Sequence, residues 1–482
     1  MSDTFFFPSK MLIHGEWVDA LNGVKQDVFS PGDQSLVGAI AYGGEEETER
    51  AIQSASQAFT TWKKVLPAER ARLLRKFYEL MIARKDELAK IMTAESGKPM
   101  AESRAEIDYA ASFLELYAEE IRRIYGETIP TINHDRRFIV MRQPIGVCAA
   151  ITPWNFPSSM VTRKVGAALA AGCTIVLKPD HRTPFSALAL GALALEAGIP
   201  AGVFNIVLGP APEIGQYMCA HHTVRKVTFT GSTEVGRVLM AQCAPTIKRL
   251  SLELGGNAPF IICEDANPHD AAQQLVTGKM RNAGQSCVSP NRVMIHKKHY
   301  EWILTEITSL MQKLQVGPGT DEKNNVGPLI DRKGVEKVDA LVQDALKKGA
   351  RCLLGGKPHA AGQNFYSPTV IADISPEMEI AHKEIFGPVI AASIFESDDE
   401  IIARANNSEY GLASYVFTND YKRLFRYAEE LEYGMVGFNA GVTSTSVTPF
   451  GGIKQSGLGR EGSHFGLEEY LNVKSVCVAG LA

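Results

Sequence analysis

The sequence predicts an α/β protein whose first half contains a doubly wound, parallel sheet. Between residues 137 and 236, short runs typical of strands alternate with helix-like segments. This alternation favours right-handed strand–helix–strand units that place the strands in one parallel sheet. Polar residues and glycines follow several of these strands, at the edge where such sheets bind ligands.

The length and composition indicate a globular enzyme with several domains. A chain of 482 residues is long enough for about three domains, and 45% hydrophobic with 22% charged residues is typical of an α/β enzyme. The net charge is −4, with acidic and basic residues interspersed, so we expect no nucleic-acid partner. The longest apolar stretch, 165–177, is shorter than the roughly 20 residues of a membrane-spanning helix, so we expect no membrane partner.

The cysteines favour a reducing compartment. The eight cysteines form no C-x-x-C motif and no disulfide-like cluster, and no signal peptide is visible. We therefore expect the protein in the cytoplasm.

The first quarter of the chain predicts short strands followed by three helices. Residues 10–42 contain β-like runs separated by turn signals such as Asn22-Gly23. Apolar residues then recur at intervals of three or four, which predicts helices over 48–64, from Pro67 to near Gly97, and from 100 to about 124.

The alternating region follows. Its predicted strands cover 137–144, 145–152, 174–178, 203–207 and 225–230, with helices over 164–171 and 186–197, after 207 and after Gly231. A second α/β region extends from 255 to about 450, and 470–478 is predicted as a final strand.

A cysteine in a glycine-containing turn is the candidate nucleophile. Cys287 follows Gly284-Gln-Ser, between an amphipathic run over 271–280 and a β-like run over 292–296. Such a turn places a thiol where backbone N–H groups can face the atom that the sulfur attacks. The alternative, from these residues alone, is an inert packing cysteine.

A glutamate at the end of a strand is the candidate general base. Residues 250–254 alternate strictly, so Ser251 and Glu253 lie on the face opposite the three leucines. Gly255-Gly256 follows and allows other backbone to come close. The alternative is an ordinary solvent-facing glutamate.

Three further polar sites follow predicted strands. Asn155, Lys178 and Gly231–Ser232 all fall at strand carboxyl ends. The turn at 231–236 lacks the G-x-G-x-x-G fingerprint of dinucleotide binding. Its N–H groups and hydroxyls at a helix N-terminus could still bind a pyrophosphate.

Seven motifs, in this order, give the chain a resemblance to the aldehyde dehydrogenase superfamily over essentially its whole length. They are Pro153-Trp-Asn-Phe-Pro157, Lys178-Pro179, Phe229-Thr-Gly-Ser-Thr233, Leu252-Glu-Leu-Gly-Gly256, Gly284-Gln-Ser-Cys287, Glu384-Ile-Phe-Gly-Pro388 and Pro449-Phe-Gly-Gly452. The segments 162–173, 281–285 and 451–463 resemble succinate-semialdehyde dehydrogenases in particular.

The resemblance implies three domains and an oligomer. The dinucleotide-binding domain would comprise 1–124 and 144–252, and the catalytic domain 253–450. A small β domain, from 125–143 and 451–482, would bridge subunits in a homodimer or homotetramer.

The resemblance also implies a mechanism and a set of binding residues. Cys287 would attack the aldehyde, with Asn155 as an oxyanion donor, and Glu253 would activate water to hydrolyse the thioester left after hydride transfer. It implies no metal, and it assigns cofactor binding to Thr152, Trp154, Lys178, His181, Arg182, Gly231, Ser232, Glu384 and Phe386.

The residues after Lys178 favour NADP over NAD, with NAD also possible. In the family, a glutamate three residues after this lysine bonds the ribose 2′-hydroxyl and repels a 2′-phosphate. This chain has His181 there, and Arg182 beside it could meet the phosphate. The alternative is that Arg182 points to solvent and Asp180 disfavours the phosphate.

The resemblance further places Arg163, Arg281, Ser444 and Phe450 around the aldehyde tunnel. Two arginines could grip a carboxylate at the far end of the substrate. We therefore expect a small aldehyde that carries an acid, succinate semialdehyde first, with glutarate or 2-oxo acid semialdehydes as alternatives. Outside this class, a cysteine hydrolase or acyltransferase, or a silent scaffold, stays open.

Overall fold

The computed structural model describes residues 8–481; residues 1–7 and 482, at the ends of two predicted domains, lie outside the described part. The first elements are β1 (Met11–Ile13), β2 (Glu16–Val18), β3 (Lys25–Phe29), β4 (Leu36–Ala41), α1 (Glu45–Trp62), α2 (Pro67–Ala83), α3 (Lys85–Ser96) and α4 (Met100–Glu120). The helix predicted from Pro67 to Gly97 is two helices, because the backbone leaves helical geometry at Arg84 (φ −109°, ψ 24°).

The alternating region forms the elements that were expected. They are β5 (Glu127–Ile129), β6 (Arg137–Pro144), β7 (Val147–Ile151), α5 (Ser159–Ala171), β8 (Thr174–Lys178), α6 (Pro184–Ala197), β9 (Phe204–Ile206), α7 (Ala211–Ala220), β10 (Val224–Thr230), α8 (Thr233–Cys243) and β11 (Arg249–Glu253).

The second α/β region and the C-terminal segment complete the chain. Their elements are β12 (Pro259–Ile262), α9 (Pro268–Met280), β13 (Arg292–His296), α10 (Tyr300–Gln312), α11 (Arg332–Lys347), β14 (Arg351–Leu354), β15 (Thr369–Ala372), β16 (Val389–Phe395), α12 (Asp398–Asn406), β17 (Tyr410–Gly411), β18 (Ala413–Phe417), α13 (Tyr421–Glu430), β19 (Met435–Phe438), β20 (Ile453–Lys454), β21 (Gly457–Leu458), α14 (Ser463–Glu468) and β22 (Leu471–Val478).

The first sheet has the strand order β2-β1-β9-β8-β7-β10-β11-β21. Its five central strands, β9 to β11 in that order, are parallel. Every residue of β7 and β8 is buried, as expected where helices cover both faces of a parallel sheet. The predicted doubly wound sheet is thus confirmed.

A second sheet, of order β14-β15-β16-β13-β12-β18-β19, is parallel except for the edge strand β14. Each sheet has its own hydrophobic core. The carboxyl end of β11, in the first sheet, meets the loop between α9 and β13, in the second α/β region. The candidate site lies at this meeting point.

The C-terminal segment predicted to bridge subunits divides between two places. β22 pairs along its whole length with β6, and β5 pairs with the other edge of β6. In contrast, β21 pairs with β11 in the first sheet, and α14 packs on α4 and α5. The domain boundaries themselves stay predictions.

Membrane-spanning helices and metal-binding clusters are both absent from residues 8–481. No helix in this range is both long and apolar enough to cross a membrane. No cluster of three or more histidine, cysteine or acidic side chains in it could hold a metal ion.

A buried carboxyl fixes the start of α6. Glu95 of α3 accepts hydrogen bonds from the N–H groups of Phe185 (2.7 Å) and Ser186 (2.9 Å). These groups belong to the first turn of α6, which has no intrahelical acceptor for them. Burial raises the pKa of the Glu95 carboxyl to about 8, against the effect of these two hydrogen bonds, which lower it.

We predict that Glu95→Ala lowers stability by about 2–3 kcal/mol, because two buried N–H groups lose their acceptor. Glu95→Gln keeps one acceptor oxygen and should lose less. The measurement is the midpoint of thermal unfolding, with the exposed Glu429→Ala as control. Equal midpoints for Glu95→Ala and Glu429→Ala would contradict this role.

Candidate active site

One cleft of about 230 Å³ collects all three residues predicted for catalysis. We call it the inner cleft; its lining comprises Pro153, Trp154, Asn155, Met160, Thr230, Gly231, Ser232, Glu253, Leu254, Gly255, Cys287, Lys337, Glu384 and Phe386. Residues at the ends of strands in the first sheet and residues of the second α/β region therefore face one another across a small space.

The loop that carries Cys287 has an unusual backbone. Asn282, Ala283 and Gly284 are all left-handed, with φ of 51°, 52° and 78°. A Cβ on Gly284 would lie 2.1 Å from the carbonyl oxygen of Gly387, so only glycine fits. Gln285 fixes the loop from the other side, since its side chain accepts from Ile330 N–H at 2.9 Å.

The Cys287 thiol is half-buried in the cleft. Desolvation raises the pKa of this thiol to about 12, with further contributions from the carboxylates of Glu384 and Glu253, against which Arg163 acts. The thiol is therefore neutral near pH 7, and an acceptor must remove its proton before it becomes a nucleophile.

Glu253 is buried, which excludes the alternative of a solvent-facing glutamate. Neither carboxyl oxygen has a hydrogen-bond partner among the described residues. Burial, followed by the charge of Glu461, raises the pKa of Glu253 well above its ordinary value. A Cβ on Gly451 would lie 2.9 Å from one of these oxygens, so the glycine leaves space beside the carboxyl.

A buried ion pair binds the backbone of the loop that contains Asn155. Lys98 pairs with Glu106 and donates to the carbonyl oxygen of Asn155 at 2.9 Å. Glu106 also accepts from Ser158 N–H at 3.0 Å. The Asn155 side-chain amide donates to the Gln285 carbonyl oxygen at 3.0 Å, which leaves its second N–H for another acceptor.

Beyond Glu253 lies a cluster of buried charges. Glu461 accepts from Arg163 (3.2 Å) and forms an ion pair with Lys164. Burial alone would raise the pKa of Glu461, but these two cations outweigh it and hold the pKa below its ordinary value. Two cations on one carboxylate leave the cluster with one net positive charge.

The two predicted substrate arginines come together at an aromatic ring. Arg163 donates to the Tyr109 hydroxyl at 2.7 Å, and its guanidinium lies 4.5 Å from the Phe450 ring centroid. The guanidinium of Arg281 lies 4.9 Å from the Phe156 ring and 5.8 Å from the Tyr109 ring. Arg281 sits just after α9, not on it, at the start of the short 3₁₀ turn over Arg281–Gly284.

The two arginines differ in their partners. Arg163 is already paired, whereas Arg281 has no hydrogen bond or ion pair within residues 8–481, although Glu102 is an electrostatic neighbour. The Ser444 hydroxyl is buried without a hydrogen-bond partner in the same range. No described contact joins Ser444 to either arginine.

A second cleft of about 470 Å³ continues from the inner one, and we call it the outer cleft. The two clefts share Pro153, Trp154, Thr230, Gly231 and Ser232. The outer cleft is further lined by Thr152, Lys178, Asp180 and Arg182 and by residues of α7 and α8. Predicted residues from three strand ends therefore meet in one continuous space.

The outer cleft offers groups that fit a dinucleotide. Ser232 caps α8, whose N-terminus favours an anion. Burial lowers the pKa of Lys178, whose ammonium makes no hydrogen bond within the described chain. The buried Thr152 hydroxyl also lacks a partner there. In the inner cleft, Glu384 accepts from Gly256 N–H at 3.1 Å, and Phe386 lies edge-on to Trp154 at 5.6 Å.

His181 does not join the other predicted cofactor residues. Its side chain is exposed and lines a neighbouring cleft with Glu95 and Asp331. Arg182 lines both this neighbouring cleft and the outer cleft. Its guanidinium donates hydrogen bonds to Asp180 and Asp331. The alternative that Arg182 simply points to solvent does not hold.

Sequence reasoning missed several groups that the fold brings to the clefts. They are Lys98, Glu106, Tyr109, Lys164, Lys337 and Glu461. Glu461 follows a glycine-rich motif and Lys164 follows Arg163, so both had a local signal. Lys337 lies on a polar helix and had none.

Comparison with known proteins places these features in a family. The model of the aldehyde dehydrogenase family matches residues 17–476. Succinate-semialdehyde dehydrogenase [NADP(+)] of Escherichia coli is 50% identical, with 99% of both chains covered. Glutarate-semialdehyde dehydrogenase of Pseudomonas aeruginosa is also 50% identical, over 100% of both chains. A crystal structure of an E. coli NADP-dependent enzyme superposes with a TM-score of 0.98 at 50% identity, covering 99% of this chain and 100% of the other. The chain therefore belongs to the aldehyde dehydrogenase family.

Proposed function

We propose that the protein oxidises an ω-semialdehyde acid, succinate semialdehyde before glutarate semialdehyde, to the dicarboxylate. The observation that carries the proposal is the meeting of a thiol, an unpartnered carboxyl and an amide in one cleft. In the overall reaction, aldehyde, water and NAD(P)⁺ give the un-ionised carboxylic acid, NAD(P)H and a proton. The acid then ionises to the carboxylate. The names of the relatives support an acid-bearing aldehyde.

Cys287 begins the reaction by attacking the aldehyde carbon. Its thiol proton leaves to a base or to water, and the carbonyl oxygen becomes the oxyanion of a thiohemiacetal. The free N–H of the Asn155 amide and the Cys287 N–H would stabilise this oxyanion, and losing one such donor costs about 3 kcal/mol. The Gln285 bond holds Asn155 in place for this role.

When bound, NAD(P)⁺ supplies the two-electron oxidant that accepts hydride from the thiohemiacetal carbon. Lys178, Thr152 and the N-terminus of α8 would hold its adenosine and pyrophosphate parts in the outer cleft. Glu384 and Phe386 would hold its nicotinamide end in the inner cleft. His181 lies outside this arrangement.

Glu253 completes the turnover by hydrolysing the Cys287 thioester. One of its two unpartnered oxygens can accept a proton from a water molecule, and the oxygen of that water attacks the acyl carbon. The Cys287 thiolate is the leaving group, and the acid is released. Because burial and the charge of Glu461 raise the pKa of Glu253, the fraction of its ionised form should increase as pH rises.

The substrate carboxylate would lie against the positive region around Tyr109. Arg281 lacks an ion-pair partner within the described residues, and the Arg163 cluster keeps one net positive charge. A cation in a largely apolar tunnel is stabilised by a carboxylate. Ser444 and Phe450 would complete the wall of this site.

NADP is the favoured cofactor, with NAD accepted. The residue three positions after Lys178 is His181, which carries no fixed negative charge. The E. coli relative is named for NADP(+), which supports this preference.

An oligomer in the cytoplasm fits the remaining observations. Large apolar side chains are exposed on the three-stranded sheet, among them Ile129, Met141 and Val473, as expected of a face that pairs subunits. All eight cysteines are free, as in a reducing compartment. We therefore propose a homodimer or homotetramer.

We predict that Cys287→Ala abolishes NAD(P)H formation, while Glu253→Gln releases about one equivalent of NAD(P)H and then stalls as acyl-enzyme. Absorbance at about 340 nm and intact mass follow the two steps. The exposed Cys352→Ala is the control and should keep full activity. Wild-type turnover by Cys287→Ala would overturn the mechanism, and thioester cleavage without NAD(P)H would favour a hydrolase.

We predict that kcat/KM rises from about pH 6 to about pH 9, because the Cys287 thiol has a raised pKa and attacks in its deprotonated form. The raised pKa of Glu253 should make kcat rise with pH as well, because Glu253 acts in the later hydrolysis. The NAD(P)H burst of Glu253→Gln should still rise with pH, since the thiol alone then ionises. A stopped-flow pH series measures both. A burst rate that falls across this range would contradict the assignment.

We predict that the wild type prefers succinate semialdehyde to butanal by about a hundredfold in kcat/KM, because an unpaired buried cation costs a few kcal/mol. Arg281→Ala should lose most of this ratio. Arg163→Ala should lower activity on both aldehydes, because it also releases Glu461. The exposed Arg72→Ala is the control, and equal use of both aldehydes by the wild type would exclude the carboxylate site.

A further inference from the structure

Arg182 is held by two carboxylates from distant parts of the chain. Its Nε and Nη2 donate to Asp180 at 3.0 and 2.9 Å, and its Nη1 donates to Asp331 at 3.1 Å. Its guanidinium also lies 5.2 Å from the Trp154 ring. All three hydrogen bonds direct the charge of Arg182 toward protein carboxylates: Asp180 lines the outer cleft, and Asp331 lines the neighbouring cleft.

Asp331 uses its two oxygens for different purposes. Oδ1 accepts from Gly334 N–H at 2.8 Å and caps α11, while Oδ2 binds Arg182. An asparagine at 331 can keep the cap, because asparagine is as good a cap as aspartate. The charge and the cap can therefore be separated by one substitution.

The charged residues that line the outer cleft are Lys178, Asp180 and Arg182, and Asp331 lies beside them through its ion pair with Arg182. Lys178 and Arg182 are opposed by Asp180 and Asp331, so the four groups sum to zero. A 2′-phosphate carries about −1.5 to −2 charges and needs a cation whose donors are free. Of the two carboxylates, Asp331 is the weaker partner: it makes a single bond and its side chain is 37% exposed, against two bonds and 18% for Asp180.

We propose that Asp331 is a positioning residue for cofactor selectivity, which restrains Arg182 and so weakens binding of a dinucleotide 2′-phosphate relative to a free 2′-hydroxyl. The inference rests on the proposed use of NAD(P)⁺. It assigns the residue that caps α11, in the second α/β region, to a preference that is otherwise set beside Lys178.

The test is direct binding of NADP⁺ and NAD⁺ to the full-length protein without aldehyde, by calorimetry. Asp331→Asn should lower the Kd for NADP⁺ about three- to tenfold and change the Kd for NAD⁺ less than about twofold. Binding of 2′-AMP against 5′-AMP should move in the same way. Asp420→Asn is the matched control, since Asp420 caps α13 without an ion pair in the described residues.

Arg182→Gln completes the experiment. It should weaken NADP⁺ binding about tenfold, and the gain from Asp331→Asn should vanish in its background, because Asp331 acts through Arg182. A gain that persists without Arg182, or equal shifts for both dinucleotides, would overturn the inference. If the wild type binds neither dinucleotide, the proposed function itself fails.

Discussion

The candidate site depends on direct contact between backbone segments at the loop that carries Cys287. A Cβ on Gly256 would lie 2.4 Å from the Cys287 carbonyl oxygen, and one on Gly284 would lie 2.1 Å from that of Gly387. The end of β11, the Cys287 loop and the loop after Glu384 therefore touch without side chains between them. This contact sets Glu253, three residues before Gly256, across a small cleft from the thiol. A larger residue at either glycine would separate the groups that the chemistry needs together.

Buried charge is the second feature that organises the site. Lys98 and Glu106 are nearly inaccessible, yet each also binds backbone of the Asn155 loop. Removing one partner of such a pair leaves an uncompensated charge, which is strongly destabilising. The pair thus fixes the loop more firmly than surface contacts could. The same reasoning applies to Glu461, which stabilises two cations close to Glu253.

These charges also shape the reactivity of the two central groups. The cleft desolvates both the thiol and the Glu253 carboxyl, which raises the pKa of each and favours its neutral form. A neutral thiol resists adventitious oxidation, because the thiolate is the reactive species. Arg163 opposes this rise in pKa at both groups, and Lys164 opposes it at Glu253.

The sequence by itself determined the parallel sheet, the family, and the cluster of Cys287, Glu253 and Asn155. Those predictions rest on local signals: alternating strands and helices, glycine turns and motifs that lie within a few residues. It indicated a role for Arg182 but not the ion pair of Arg182 with Asp331, because Asp331 lies 149 residues further along the chain. The sequence did not indicate that Lys98, Glu106 and Lys337 lie at the site, and it did not predict that the His181 side chain is exposed in a neighbouring cleft. Burial, pairing of charges and the choice between neighbouring clefts arise only when distant segments pack, so the tertiary structure alone decided them.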